Sequence, residues 1–199
     1  GVLNIYEYRN GTNPRDADTD DDGLDDLEEI ETYLSDPTLF DTEGDGMPDG
    51  WEIQYGFLYL TDDSKEDPDN DTVLNVYEYG NGTNPLLNDT DLDFMPDWWE
   101  IENNLLPCDG SDNFTTNDGD LLINIYEFGN YTNPNKGDTD GDGLNDWEEI
   151  INIGTLANHS DTDLDGMPDG WEIENNFLPL VSSDSSGDPD GDFLLNVDE

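Results

Sequence analysis

The chain has 199 residues, with 53 Asp or Glu against four Lys or Arg, a formal net charge of −49, and a hydrophobic share of 32%. Such charge repels nucleic acid, and so small an apolar share argues against one compact core despite adequate length. No stretch is long and apolar enough to span a bilayer, and no signal peptide is visible at a start that falls inside a repeat.

The chain opens on Leu3-Asn4-Ile5-Tyr6-Glu7-Tyr8, followed by the turn signal Asn10-Gly11-Thr12-Asn13-Pro14. From there, oxygen-bearing residues at positions one, three, five, nine and twelve and an apolar residue at seven recur in twelve-residue windows. The first window holds Asp18, Asp20, Asp22, Leu24, Asp26 and Glu29, and the second Asp41, Glu43, Asp45, Met47, Asp49 and Glu52. The third holds Asp67, Asp69, Asp71, Val73, Asn75 and Glu78, and the fourth Asp89, Asp91, Asp93, Met95, Asp97 and Glu100. The fifth opens on Thr116 in place of an acid and continues with Asp118, Asp120, Leu122, Asn124 and Glu127. Asp138, Asp140, Asp142, Leu144, Asp146 and Glu149 make the sixth, and Asp161, Asp163, Asp165, Met167, Asp169 and Glu172 the seventh. The eighth is Asp188, Asp190, Asp192, Leu194, Asn196 and Glu199.

Of the 40 side-chain positions so defined, 36 are acidic, and three of the exceptions are Asn, which still offers a carbonyl oxygen. A halophilic surface or a disordered acidic tail would scatter its carboxylates or run them in blocks, so neither accounts for a fixed register. A hard cation does. Ca²⁺ takes roughly six to eight oxygens at about 2.3–2.6 Å, and the windows supply alternating carboxylates, a backbone carbonyl at seven and a glutamate able to bind through both oxygens at twelve. Mg²⁺ prefers a tight octahedron and keeps its waters, which makes it a poor competitor. The expected cofactor is therefore about eight or more Ca²⁺ ions, with the Thr116 loop the weakest site. Binding energy then becomes folding energy.

Gly23, Gly46, Gly143 and Gly166 stand at position six, where the loop turns sharply. Pro48, Pro96 and Pro168 at position eight are preset for a first helical turn. The apolar residue at seven, one at ten or eleven (Leu27, Trp51, Trp99, Tyr126, Trp147, Trp171) and one at thirteen (Ile30, Ile53, Tyr79, Ile101, Phe128, Ile150, Ile173) lie at helical spacing. Each unit thus reads as a metal loop running into about two turns of α-helix with an aromatic mini-core. Trp98, beside Trp99 and out of phase, is the aromatic to test as exposed, and the pair is the basis of a weaker reading as a carbohydrate-binding module.

The glutamates at twelve are spaced 22 to 27 residues apart, a period that signals a stacked array. Three unit types sort into a first module at 1–66, a second at 67–115, a third at 116–187 and the start of a further one at 188–199. The fold class expected is an open-ended repeat protein of metal loops and short helices, otherwise irregular, with little or no β-sheet. Both ends of the chain fall inside a repeat, which suggests either an excerpt of a longer array or end-to-end joining between subunits, the geometry that generates filaments.

The motif Asp-x-Asp-x-Asp-Gly-x-x-Asp-x-x-Glu, as in Asp138–Glu149 and Asp161–Glu172, resembles the thrombospondin type 3 repeat, and the Met-Pro-Asp-Gly-Trp-Glu version resembles arrays of large microbial surface proteins. The resemblance covers nearly the whole chain and implies an extracellular, calcium-wrapped structure. EF-hand and dockerin loops are the near alternative, but they usually carry an apolar residue at position eight, where five of the eight windows here have Asp25, Pro48, Pro96, Asn145 and Pro168. The single cysteine, Cys108, departs from animal thrombospondins and excludes an internal disulfide ladder; it reads as free and partly buried, with a bridge between subunits as the alternative.

Seven Asn-x-Ser/Thr sequons occur, at Asn10, Asn70, Asn81, Asn88, Asn113, Asn130 and Asn158, against roughly two or three by chance. They read as N-glycosylation sites on a secreted chain, although Asn-Gly-Thr-Asn-Pro is also a turn signal that ends a helix. One histidine, His159, and one cysteine more than fifty residues away make no catalytic constellation. The expected function is a calcium-stabilised, N-glycosylated extracellular or cell-surface structural protein that self-associates into a fibre or stalk. The alternative is a spacer within a larger adhesin or secreted enzyme.

Overall fold

A computed structural model describes residues 4–198, and among these the backbone is short helices joined by irregular loops, with no strand. Five α-helices start at position nine of a window and run seven residues: α3 (Asp49–Tyr55), α4 (Asn75–Asn81), α5 (Asp97–Asn103), α6 (Asn124–Asn130) and α7 (Asp169–Asn175). Preceding them, α1 spans Asn4–Asn10 and α2 spans Asp26–Glu28. Position eight is extended in each case described, with ψ of 144° at Pro48 and 142° at Pro168, so the helix begins abruptly at nine. At the other end a left-handed residue closes α3, α4, α6 and α7, and its N–H returns to the carbonyls of the glutamate at twelve and its successor. Helices this short do not persist alone in water; they are held by the loops that flank them.

Those loops repeat one geometry. In all eight, the N–H of position nine donates to the carbonyl of the residue before position one, from 2.7 Å for Asp26 to Ala17 to 3.3 Å for Asp49 to Phe40. The N–H of position seven donates to a carboxylate oxygen at position five, as in Leu24 to Asp22 at 2.7 Å and Leu144 to Asp142 at 2.8 Å. Positions four and six both take positive φ in every loop. At six this includes Thr72 (83°), Phe94 (79°), Leu121 (82°) and Phe193 (79°) as well as the glycines. A side chain there is strained, most of all a β-branched one.

Two units depart from the simple α-helix expected. After α2 the chain winds into a π turn at Glu29–Tyr33, and the corresponding turn later is Glu148–Ile153. The wider turn sends Leu34 N–H to the Glu29 carbonyl and Gly154 N–H to that of Glu149, each at 2.6 Å. It is followed by a hydroxyl bonded to the glutamate carboxylate, Ser35 to Glu29 at 2.9 Å and Thr155 to Glu149 at 3.0 Å. Single π turns of this kind cluster at functional sites.

The chain divides into two compact units: Gly1–Leu92 with Pro96–Ile101, and Asp93–Met95 with Glu102–Glu199. In the first, Trp51 packs with Tyr55, Phe57 and Tyr79 at ring-centre separations of 5.0 to 5.6 Å. In the second, Trp171 stacks on Phe177 at 5.5 Å. The apolar residue at seven is buried in seven windows, but Leu194 is 48% exposed. The face expected to be apolar is only partly so: Tyr126 is 59% and Ile173 41% exposed. Positions nine and twelve, three residues apart on one helix face, take the inward direction, which turns position eleven outward at Tyr126. Trp98, the one singled out to test as exposed, is half-buried, and Trp99 is buried. Cys108 is exposed, contrary to the partly buried site expected of it.

Candidate metal sites

Carboxylates are among the most deeply buried side chains of the described residues. Glu29, Glu52, Glu78, Glu100, Glu127, Glu149 and Glu172 are all fully inaccessible, alongside Met47, Met95 and Leu122. An ionised carboxylate is normally buried only when paired or bound to metal. Here both oxygens of Glu127 and of Glu172 are buried without a hydrogen-bond donor, and the charges acting on them are those of other acids.

The windows bring their residues together as the spacing requires. Asp18, Asp20 and Asp22 have ligand atoms within 4.8 Å of one another, as have Asp41, Glu43 and Asp45, and further such clusters occur. Burial first, then neighbouring acids, pushes the carboxyls of Glu29, Glu78, Glu127, Glu149 and Glu172 up to about 8, and that of Glu52 to about 9. Asp20, Asp69 and Asp140 rise to about 6, again chiefly through burial. Such clusters are suited to hold a metal ion, since a cation supplies the missing partner and reverses each of these shifts. The donors are oxygen alone, the set hard cations prefer.

Position nine has a second task. In five windows its aspartate clasps the threonine at position two, accepting from the backbone N–H with one oxygen and from the hydroxyl with the other. The pairs are Thr19–Asp26, Thr42–Asp49, Thr90–Asp97, Thr139–Asp146 and Thr162–Asp169, at 2.6 to 3.0 Å. The same threonine oxygen accepts an N–H from six residues upstream, such as Asn84 to Thr90 at 2.8 Å. Where position nine is Asn, position two is Pro68, Asn117 or Pro189, and the amide instead donates to a backbone carbonyl. Asn75 bonds Asp63, Asn124 bonds Asp112, and Asn196 bonds Asp184, at 3.1, 3.0 and 2.6 Å.

Position nine also faces the window before its own. Asp49 lies with Glu43 and Glu52, but equally with Asp22 and Glu29 of the first window. Asp97 adds to the charge around Glu78 in the same way, as does Asp146 around Glu127. The backbone joins consecutive loops as well: Trp147 N–H donates to Asp120 at 3.2 Å and Gly170 N–H to Asp142 at 2.8 Å. A Cβ at Gly170 or Gly50 would sit against the carbonyl oxygen of Asp142 or Asp22, so these two positions require glycine.

Three acids that sequence reasoning passed over stand out. Asp63, Asp112 and Asp184 are not in any window, yet Asp63 clusters with Asp45 and Glu52, and Asp184 adds to the charge around Glu172. Each follows an Asp-x-Trp-Glu unit by eleven or twelve residues, and each accepts a leucine N–H with Oδ2, from Leu58, Leu106 and Leu178 at 3.0, 2.8 and 3.0 Å. That recurrence was the available signal. The fourth window is divided between the two compact units, and Glu199 lies outside the described residues.

Among the sequon asparagines, Asn10, Asn70, Asn81, Asn88, Asn130 and Asn158 are exposed. Asn10, Asn81 and Asn130 use their amide nitrogens on the carbonyls of Tyr6, Tyr77 and Tyr126. Asn113 is buried, 6% exposed, and donates to the Asp93 carbonyl at 3.2 Å, which leaves no room for a sugar on that nitrogen in the folded chain.

No family model matches the chain, and searches of curated proteins and of solved structures find no match. No helix among the described residues is long and apolar enough to cross a membrane.

Proposed function

We propose that this chain is a calcium-binding structural protein of the extracellular or cell-surface space, a series of thrombospondin type 3-like loops whose ions take the place of an apolar core. The observation that carries the reading is the set of fully buried glutamates, with those at 127 and 172 reached by no hydrogen-bond donor. Neutralising them with protons alone requires carboxyls that ionise only near 8, whereas calcium at extracellular levels supplies the charge at neutral pH. The exposed sequons would carry N-linked glycans over a thinly packed backbone. The consecutive loops, already joined by backbone N–H groups that donate to carboxylates of the preceding loop, support assembly into a fibre or stalk by continuation of the series. The role is structural rather than catalytic.

The test is electron microscopy of the natively secreted material with and without EGTA, together with calcium counting on the purified chain. Regular fibres that fray on chelation support the proposal. Isolated chains attached to a larger protein would replace the fibre with the spacer reading, and a chain that binds no calcium and keeps its circular dichroism and protease resistance in EGTA would overturn the proposal altogether.

A further inference from the structure

We infer that Asp63 and Asp184 are metal ligands, each lent to the upstream loop in place of the aspartate that position nine of the following loop lacks. The inference rests on the calcium reading above and adds to it a rule for how the sites are completed.

The rule begins with the loops where position nine is Asp. Asp49 has an oxygen within 4.8 Å of Asp22 and Glu29, which belong to the window before its own. Asp97 adds to the charge around Glu78, and Asp146 to that around Glu127. Each of these upstream sites therefore gains one carboxylate from about twenty residues downstream. After the second and seventh windows the following position nine is Asn75 or Asn196, which brings no charge. An added aspartate appears in these places. Asp63 is 94% buried, its Oδ1 accepts no hydrogen bond, and it lies with Asp45 and Glu52 of the second window. Asp184 likewise has a buried, unpartnered Oδ1 and adds to the charge around Glu172 and Asp163.

The way these aspartates are held supports the same role. In both, Oδ2 is anchored by a leucine N–H, and the backbone carbonyl accepts the Nδ2 of the asparagine at nine. The Oδ1 is thus fixed toward the carboxylates instead of being free to turn to water. The Oδ1 atoms of Asn75 and Asn196 are buried and unpartnered as well, so the asparagine and its aspartate form a two-oxygen unit where other sites use a single Asp. Each cation would then clip a loop to the segment that follows it, with every site completed from downstream.

The test is calcium binding by the full chain, read by equilibrium dialysis at limiting free calcium and by calorimetry. Asp63→Asn keeps an acceptor for Leu58 N–H and removes the charge. Asp62→Asn, at an exposed neighbour bonded to Ser64, is the control, and Asp184→Asn repeats the test in the other unit. The expected result is that one site per chain weakens roughly a hundredfold or more in Asp63→Asn and in Asp184→Asn, while Asp62→Asn, at an exposed residue that only adds to the charge around Asp45, weakens it far less. Binding isotherms of Asp63→Asn and Asp184→Asn that coincide with the parent's would overturn the inference and leave calcium binding itself standing. A parent chain that takes up no calcium would remove the underlying reading instead. Loss of the fold in saturating calcium by both variants would assign the aspartates to structural hydrogen bonds, and so would also overturn the inference.

Discussion

Replacing Glu172 by Gln should change stability in opposite directions with and without calcium. Glu172 is fully buried in α7, no donor reaches either oxygen, and burial followed by Asp163, Asp165 and Asp184 raises its carboxyl to about 8. Without metal, holding that group neutral at pH 7 when its ordinary value is 4.5 costs on the order of 3 kcal/mol. Glutamine is isosteric and uncharged, so in EGTA the variant should be the more stable form by up to about that amount. With calcium, the variant loses a buried anionic ligand, a change comparable to breaking a buried ion pair at about 3–5 kcal/mol. Affinity at that site should fall by roughly two to three and a half orders of magnitude. Urea unfolding at pH 7, in excess calcium and in EGTA, gives both arms, and calorimetry gives the site affinity. Equal stabilities of parent and variant in both conditions would refute the argument, because a buried acid that neither costs stability alone nor binds an ion has no place in it.

Two further outcomes follow from the same geometry. Gly170→Ala places a methyl against the Asp142 carbonyl oxygen and should destabilise by about 1–3 kcal/mol. Gly80→Ala, in α4 with open space around it, should stabilise by about 0.5–1 kcal/mol; thermal unfolding of the two in excess calcium checks the contrast. The pH dependence of the metal-free chain should be inverted relative to ordinary acidic proteins. Its buried glutamates have folded-state values raised to about 8 or 9. Their contribution to stability is therefore fully present below about 4.5 and lost as pH rises through 8 to 9. Circular dichroism in EGTA should show more structure at pH 5 than at pH 9, and calcium uptake at neutral pH should release protons. A metal-free fold that strengthens with rising pH would contradict this.

Local order was largely legible in the residues. The one-three-five-nine-twelve register, the glycine at six in four windows and the proline at eight in three each encode a backbone state within a dozen residues, whereas the positive φ at Thr72, Phe94, Leu121 and Phe193 is not written in those residues. Helix length was legible too, because Asn-Gly and Gly-Phe supply left-handed caps for α4 and α3. The π turns were not, since a one-residue widening leaves the apolar spacing nearly unchanged. The mini-core of aromatics was overestimated for a related reason: hydrophobic spacing alone cannot show that the inward face would be taken by carboxylates.

What the sequence alone determined, then, is which atoms lie within one loop: the carboxylates at one, three and five and the glutamate at twelve, brought close by a chain too short to separate them. Only the tertiary structure decided what joins one loop to the next. That Asp49 faces the first window as well as its own, that Asp63 and Asp184 stand beside Glu52 and Glu172, that Gly170 must be bare for the Asp142 carbonyl, and that Asn113 is closed to a sugar all depend on the angle at which one helix leaves its loop and meets another. That angle is the sum of many small dihedral choices over some twenty residues, and no periodicity in the sequence records it.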